Sequence, residues 1–504
     1  MQKISVIDLG SNSVKLVNFI VNPDNSYQAY QHESITVRLG EGLAETGNLK
    51  DEPIRRTIKA LKLFCEIIET QSIKHVLAVA TSAVREAANK KEFLGRIYFE
   101  TGLRFRVLGE EEEALYSYIG AIRSLYLPSA LFFDIGGGSL ELVCADRFRI
   151  KKIISLPLGT LRLMQSYADN GEVSEKNLAR MKEYIWRSIP NRKELDLDQD
   201  SVLVGVGGTL RALAKFHQEV TDYPLTKVHN YRLSSKSIHA FSSRFALLKP
   251  EKIAKNSSIS SNRAETIAAG SIVIDLLMEK LGFDKVIVSA QGLREGTLSM
   301  SLEHPREFAL GNIRQEHIQN SIQYSSEIHI IPQYLEDVMR FMITHNYINE
   351  RERLILTESL RHVSSSEGLQ NIMNFLHVGM DVDSKLDHHD QLVSVLSIIY
   401  SKKKIKLEKI FAKYHSLLLQ SDKRSIKKIS AFIALAAILS KTDVKIKTKS
   451  IDTKTIRMKV LPMKNSFPGA LLEDAIMKVS DAIDMKIEYI AQDTKHPTQS
   501  IEIQ

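Results

Sequence analysis

Two cysteines in 504 residues, Cys65 and Cys144, are too few for a disulfide framework or a cysteine-rich zinc site. Both lie in apolar-periodic stretches and read as core thiols of a reducing compartment. Proline and glycine are also sparse, at 12 and 24 residues, which excludes fibrous and low-complexity classes. The longest apolar run, Ile429 to Leu439, falls well short of the roughly 20 residues that cross a bilayer. The apolar stretch at the N-terminus is only a few residues long and contains Asp8, so it does not read as a secretory signal. The expectation is a cytoplasmic chain with no membrane partner. No Walker A sequence occurs, and Gly205-Val206-Gly207-Gly208-Thr209 fails as a dinucleotide fingerprint because Leu210 takes the last glycine position.

At 504 residues the chain exceeds what one hydrophobic core supports. Its net charge of +8 is unevenly placed, with seventeen basic against four acidic side chains in residues 401–460. That block reads either as an attractor of a polyanion or as a solvated lysine-rich face, with no nucleic acid expected. Apolar patterning divides the chain at about 124, 303 and 440. Ile4–Leu9, Val14–Val21 and Ser34–Leu39 read as strands. A helix follows, with Asp51 as N-cap and Pro53 in the first turn. His75–Ala80 reads as a buried strand, and Lys90–Glu100, Phe105–Leu108 and Glu111–Leu125 as helix, strand and helix. Residues 124–303 repeat this plan from the strand Ala130–Ile135, which suggests an internal duplication. From His304 strand signals vanish and amphipathic helical stretches dominate, such as Glu327–Asn346, Glu350–Val363 and Gln391–Ile399. Past Lys441 alternation returns, with a helix at Leu471–Ala482 and a strand at Met485–Ile490.

The duplicated unit carries a duplicated loop. Asp8-Leu9-Gly10-Ser11-Asn12-Ser13 and Asp134-Ile135-Gly136-Gly137-Gly138-Ser139 each follow a buried strand and precede another. Glycine lets the backbone approach an anion, successive N–H groups form a nest for phosphate oxygens, and the strand-end aspartate can hold a divalent cation. One copy alone is better explained as a hairpin turn with an Asx cap. Two copies at equivalent points indicate a phosphate cleft. Gly207-Gly208-Thr209, which opens a helix, adds a third phosphate-facing turn backed by the helix dipole.

These residues, with Thr81-Ser82-Ala83-Val84-Arg85, Glu112-Glu113-Ala114, Leu140-Glu141 and Leu293-Arg294-Glu295-Gly296, resemble the exopolyphosphatase/guanosine pentaphosphate phosphohydrolase family of the actin–hexokinase superfamily. The resemblance covers residues 1–303 well and the remainder loosely. It implies an α/β fold of two duplicated ribonuclease-H-like, actin-type domains (1–123 and 124–303) flanking a cleft. An all-α degenerate HD-like domain (304–440) and a small α+β tail (441–504) would follow. It further implies Glu113 as general base for the attacking water, with Glu112 next in line because the glutamate run is one residue longer than usual. Arg85 would neutralise the transferring or penultimate phosphate, Asp134 would hold Mg²⁺ or another divalent cation, and Glu141 would bind that cation or assist the water. Asp8, Gly10, Ser11, Asn12, Ser13, Gly136, Gly137, Gly138, Ser139, Gly207, Gly208 and Thr209 would bind phosphate.

In the helical region Leu376-His377-Val378-Gly379 and Asp387-His388-His389-Asp390 are similar to HD metal motifs. The aspartate after His377 is missing and Gln391 replaces a histidine, so no second catalytic centre is expected there. The implied substrate is inorganic polyphosphate or guanosine pentaphosphate, and the resemblance allows a homodimer. A kinase or ATPase of the same fold is the more distant alternative, disfavoured by the Thr81–Arg85 and Glu112–Ala114 motifs. A non-catalytic sensor of nucleotide alarmones is disfavoured because the acidic and basic site residues are all present.

Overall fold

The computed structural model describes residues 2–23, 25–169, 171–317, 340, 342–363, 380, 386–403, 405–439, 444–450, 455–462 and 469–491. The chain falls into two compact units, Met1–Ser326 and Glu327–Gln504.

The first unit is mixed α/β with two sheets. Strands β1 (Gln2–Leu9), β2 (Ser13–Val21), β3 (Tyr27–Thr36), β4 (His75–Ala80) and β5 (Phe105–Val107) lie in the order 3-2-1-4-5. β1 sits between an antiparallel β2 and a parallel β4. Being covered on both faces, it is buried continuously from Ile4 to Leu9. The edge strand β3 spans Tyr27–Thr36, whereas the apolar signal had pointed to Ser34–Leu39. Its side chains alternate between half-buried and exposed, so it carries few apolar residues, while Val37 and Leu39 are buried in the loop beyond it. The helix after it begins at Asp51, with Lys50 rather than Asp51 as its cap.

The second sheet is built from β6 (Ala130–Ile135), β7 (Leu140–Asp146), β8 (Arg149–Leu156), β9 (Val202–Val206), β10 (Tyr231–Ser234) and β11 (Lys285–Val288), in the order 10-11-9-6-7-8. Strands 8-7-6-9-11 reproduce the 3-2-1-4-5 order of the first sheet, with β10 added at the edge.

Two helices tie the sheets together. The Glu110–Leu125 helix follows the first sheet, yet its Tyr118, Ala121 and Ile122 join Phe132 and Val143 of the second sheet in one core. The Leu293–Glu303 helix follows the second sheet, and its Leu298 packs with Ile4, Val6, Val17 and Phe19 of the first. The two helices cross closely at glycines. A Cβ on Gly120 would collide with Gly292 O, and one on Gly296 with Tyr116 O.

In the second unit the described helices Glu350–Val363, His388–Lys402, Leu407–Lys413 and Asp422–Leu439 agree with the helical character expected there. The stretches of returning alternation form β12 (Val444–Ser450) and β13 (Thr455–Pro462), joined by the helix Gly469–Ile483 and β14 (Lys486–Ala491). β13 pairs antiparallel with β12 and parallel with β14. Most of the expected helix Glu327–Asn346, and Leu376–Gly379, lie outside the described residues. Among the described residues no helix is long and apolar enough to cross a membrane.

Candidate functional site

The two loops are the same turn made twice. Gly10 N donates to Ser13 O at 3.1 Å, and Gly136 N donates to Ser139 O at 3.0 Å. These two N–H groups are therefore committed within their turns and do not face an anion. The chain returns to each loop in the same way. Arg38 N donates to Asn12 O at 2.9 Å and Gly40 N to Ser11 O at 2.8 Å, while Leu161 N donates to Gly137 O at 2.9 Å and Thr160 N to Gly136 O at 3.0 Å.

Antiparallel pairing then fixes which side chains stand side by side. Asp8 lies opposite Lys15 on β1–β2, and Asp134 lies opposite Glu141 on β6–β7. Residues directly opposite in such a pair share one face of the sheet. Lys15 Nζ reaches Asp8 Oδ2 at 3.4 Å, so the first hairpin offers an acid with its counter-ion. The second offers two acids.

The loops meet across a cleft. Ser11 Oγ and Ser82 Oγ share a hydrogen bond of 2.8 Å, and a Cβ on Gly138 would lie 2.6 Å from Ser82 Oγ, which only glycine avoids. The cavity beside them has a volume of about 100 Å³. Of the residues singled out in the sequence, Asp8, Gly10, Ser11, Asn12, Ser13, Glu113, Asp134, Gly136, Gly137, Ser139, Glu141, Gly207 and Gly208 line it. Gly207, at φ 107°, opens the Gly208–Val220 helix, whose N-terminus faces the cavity.

Three expected residues stand back from the wall. Gly138 packs against Ser82. Thr209 is fully buried, with Arg263 Nη1 at 3.4 Å from its hydroxyl. Arg85 donates through Nη1 to Leu108 O at 2.9 Å and to Glu113 Oε2 at 2.8 Å. Its guanidinium therefore engages Glu113.

Burial raises Glu113 to about 7, with Arg85 pulling in the opposite direction. Glu141 is held well above the usual carboxylate range by burial and by the neighbouring Glu113 and Asp134. Asp134 is raised by burial, against the opposing pull of the Ser117 hydroxyl that donates to it at 2.7 Å. Glu141 is 2 % exposed, and its Oε1 has no hydrogen-bond partner among the described residues. A buried carboxylate oxygen without a donor, facing other carboxylates, suits a hard divalent cation held by oxygen ligands.

Glu112 faces elsewhere. Its Oε1 accepts from Tyr116 Oη at 2.8 Å and from the Arg106 guanidinium, which also donates to Phe308 O.

Three cavity cations were missed by reading the sequence, Lys15, Arg211 and Arg263, and a fourth, Arg294, was singled out only as a motif residue with no role. Burial lowers Arg211 to about 10, helped by the charge on Arg294, and burial also lowers Arg263. On Lys15 the upward pull of Asp8 is outweighed by burial together with Arg294 and Arg211. Signals for them existed. Lys15 is opposite Asp8 once the hairpin register is drawn, and Arg211 lies one turn into the helix that Gly207 opens. The Leu293–Gly296 motif also divides its labour. Arg294 lines the cavity, Glu295 Oε2 accepts from Gly292 N at 2.8 Å to cap the helix, and Gly296 permits the helix crossing.

In the second unit, donor atoms of Asp387, His389 and Asp390 converge. The Arg351 guanidinium lies among these side chains, with Nε 2.7 Å from Asp390 Oδ1 and Nη1 3.2 Å from the fully buried Asp422. His389 Nε2 lies 2.8 Å from Asp422 Oδ2. Arginine thus supplies the positive charge in that cluster.

Two actin-type α/β halves closed over a cleft of glycine turns, carboxylates and cations define a phosphate-handling enzyme class. The chain matches the Ppx/GppA phosphatase family over residues 21–304 and belongs to that family, whose members are hydrolases. It is 29% identical over 310 residues to a bifunctional 3-dehydroquinate synthase/phosphatase of Fusobacterium nucleatum, covering 59% of this chain and 46% of that protein. This chain thus spans under half the length of that relative. It is 26% identical over 308 residues to exopolyphosphatase 1 of Mycobacterium tuberculosis, covering 60% of this chain and 88% of the relative. Among solved structures, the Ppx/GppA family member of Aquifex aeolicus matches with a TM-score of 0.50 and 31% identity, over 60% of this chain and 98% of that one.

Proposed function

We propose that this chain is an exopolyphosphatase, hydrolysing the terminal phosphoanhydride of inorganic polyphosphate to release orthophosphate. The observation that carries the reading is the pairing, in one small cavity, of a carboxylate raised to about 7 with four cations, Arg294 buried and the other three half-buried. Lys15, Arg211, Arg263 and Arg294 hold the oxygens of a multiply charged chain end, in a setting of reduced dielectric where such contacts are strong. Glu113 takes the proton of the attacking water, and Arg85 orients it and keeps it ionisable near neutral pH. The N–H groups of the two hairpin loops other than those of Gly10 and Gly136, with those of the Gly208 helix start, face the phosphoryl oxygens. Asp134 and Glu141 would hold a divalent cation such as Mg²⁺, which when bound neutralises charge on the transferring phosphate. The names of relatives such as exopolyphosphatase 1 support the substrate class.

Hydrolysis of guanosine pentaphosphate is the second reading, because the motif resemblance read in the sequence implies either activity. The decisive experiment is a side-by-side phosphate-release assay on long-chain polyphosphate, guanosine pentaphosphate and ATP. Polyphosphate turnover well above the other two is expected, and ATP as the best substrate would overturn the reading.

The boundaries at 123/124, 303/304 and 440/441, a degenerate HD-like character for 304–440, a cytoplasmic location and a homodimer belong to the same proposal. Limited proteolysis and size-exclusion chromatography with light scattering test the boundaries and the dimer.

A further inference from the structure

The four cations of the cavity are not equivalent. Lys15 is held by Asp8, Arg211 Nη1 donates to Ala290 O at 3.2 Å, and Arg263 Nη1 reaches the Thr209 hydroxyl at 3.4 Å. Arg294 is the most deeply buried, at 9% exposure, and it alone has neither a hydrogen bond nor an ion pair among the described residues. Burying a guanidinium without a counter-charge destabilises the fold, and such a departure from good packing marks a functional position.

Arg294 is placed by its neighbours rather than by contacts of its own. It is the second residue of the Leu293–Glu303 helix, whose start is fixed by Glu295 accepting from Gly292 N. The same helix end is wedged on both sides. A Cβ on Gly120 would collide with Gly292 O, and a Cβ on Gly292 would lie 2.7 Å from Val206 Cγ1. A backbone held so closely delivers the side chain to the cavity wall from one fixed point. A charge positioned in advance needs no reorganisation when charge develops in a reaction.

The charges of the cavity also fall into two groups. Those that bear most on Glu113 are Arg85, Asp134 and Asp8, whereas Arg294 bears on Lys15 and Arg211. In an in-line displacement the attacking water and the departing oxygen stand at opposite ends of the transferring phosphoryl group. With Glu113 at the water's end, a cation grouped with Lys15 and Arg211 meets the departing end.

We propose that Arg294 is a catalytic residue that contacts the leaving phosphate, left unpaired by the fold so that its charge acts in the transition state. The inference rests on the proposed hydrolysis. In that step the water oxygen bonds to the terminal phosphorus as the bridging P–O bond breaks, giving orthophosphate and a chain one phosphate shorter. The water's proton goes to Glu113. The electron pair of the broken bond stays on the bridging oxygen, to which the Arg294 guanidinium donates a hydrogen bond without giving up a proton.

The test compares Arg294→Met and Arg294→Lys with the parent, all as the full chain. On long-chain polyphosphate Arg294→Met should lose about a hundredfold or more in kcat while KM moves less than about fivefold, the pattern of a contact made only in the transition state. Arg294→Lys should recover part of the loss, since it restores the charge without the planar fork. The loss should be equal at neutral and at alkaline pH, because Arg294 does not hold Glu113. Thermal melts give a measure that does not depend on turnover. Arg294→Met removes an unpaired buried charge and should melt at or above the parent, whereas loss of a structural arginine would lower the melting temperature. Near-parent kcat in Arg294→Met, a loss confined to KM, a loss recovered at alkaline pH, or a clearly lower melting temperature each overturns the inference while the proposed hydrolysis stands. Absence of parent turnover on polyphosphate, guanosine pentaphosphate and ATP alike would remove the proposed hydrolysis and the inference with it.

Discussion

Replacing Arg85 by glutamine separates two roles that the same arginine could play. Its Nη1 lies 2.8 Å from Glu113 Oε2, and both side chains are mostly buried, at 16% and 14% exposure. A hydrogen bond to a charged group contributes about 1.5–3 kcal/mol, and each 1.36 kcal/mol moves a titration midpoint by one on the pH scale. Glu113 titrates at about 7 with Arg85 in place, because burial raises it further than the arginine lowers it. Without the guanidinium the midpoint should rise by roughly one to two, to the 8–9 region. The base acts only when ionised, so activity is lost as pH falls through the midpoint. At neutral pH the Arg85→Gln variant should then lose roughly five- to fiftyfold in kcat/KM through ionisation alone. Near pH 9.5 most of that loss should be recovered, an expectation that follows from about the same midpoint. The assay is phosphate release across a pH series at fixed divalent cation and ionic strength. A loss that stays constant at all pH values would refute this reasoning and return Arg85 to direct contact with phosphate.

Glu113→Gln should abolish phosphate release from long-chain polyphosphate and leave binding largely intact, as judged by equilibrium binding. Because Glu113 titrates in the folded chain above its ordinary 4.5, the native state holds that proton between 4.5 and about 7 and loses stability as pH rises through this window. Thermal melts should accordingly show Glu113→Gln gaining on the parent above neutrality but not at acid pH, and equal curves would contradict that sign. Asp134→Asn should raise the Mg²⁺ concentration for half-maximal activity more than Ser13→Ala does, and equal effects would remove Asp134 from the cation site. Gly296→Ala should lower stability by about 1–3 kcal/mol or more in denaturant unfolding, because its new Cβ meets the backbone carbonyl of Tyr116. A neutral result would mean that the two helices can part without cost.

The duplicated hairpins, their loops and the Glu110–Leu125 helix were legible because each leaves a local mark, whereas the helix it crosses, Leu293–Glu303, was not read as one. Buried strands read as unbroken apolar runs, and the turns demand glycine at fixed offsets. The edge strand β3 was misplaced because a half-exposed strand has little apolar signal to find. Glu113 could be singled out as a motif position, but its tuning could not, since Arg85 is 28 positions away and meets it only when a helix start packs beside β4 and β5. The convergence of the cavity cations was missed for a related reason. Arg211, Arg263 and Arg294 come from three separate segments, and no spacing in the sequence brings them to one wall.

The repeated hairpin has one further consequence. A doubled fold is a symmetric mould, and a symmetric mould cannot by itself tell one end of a linear anion from the other. Here one rung is unlike between the halves, for where one half sets lysine across from its aspartate, the other half sets glutamate. Lys15 and Glu141 thus make the two sides of the cleft chemically different within a duplicated architecture, as do Arg211 and Arg263, which the second half alone supplies.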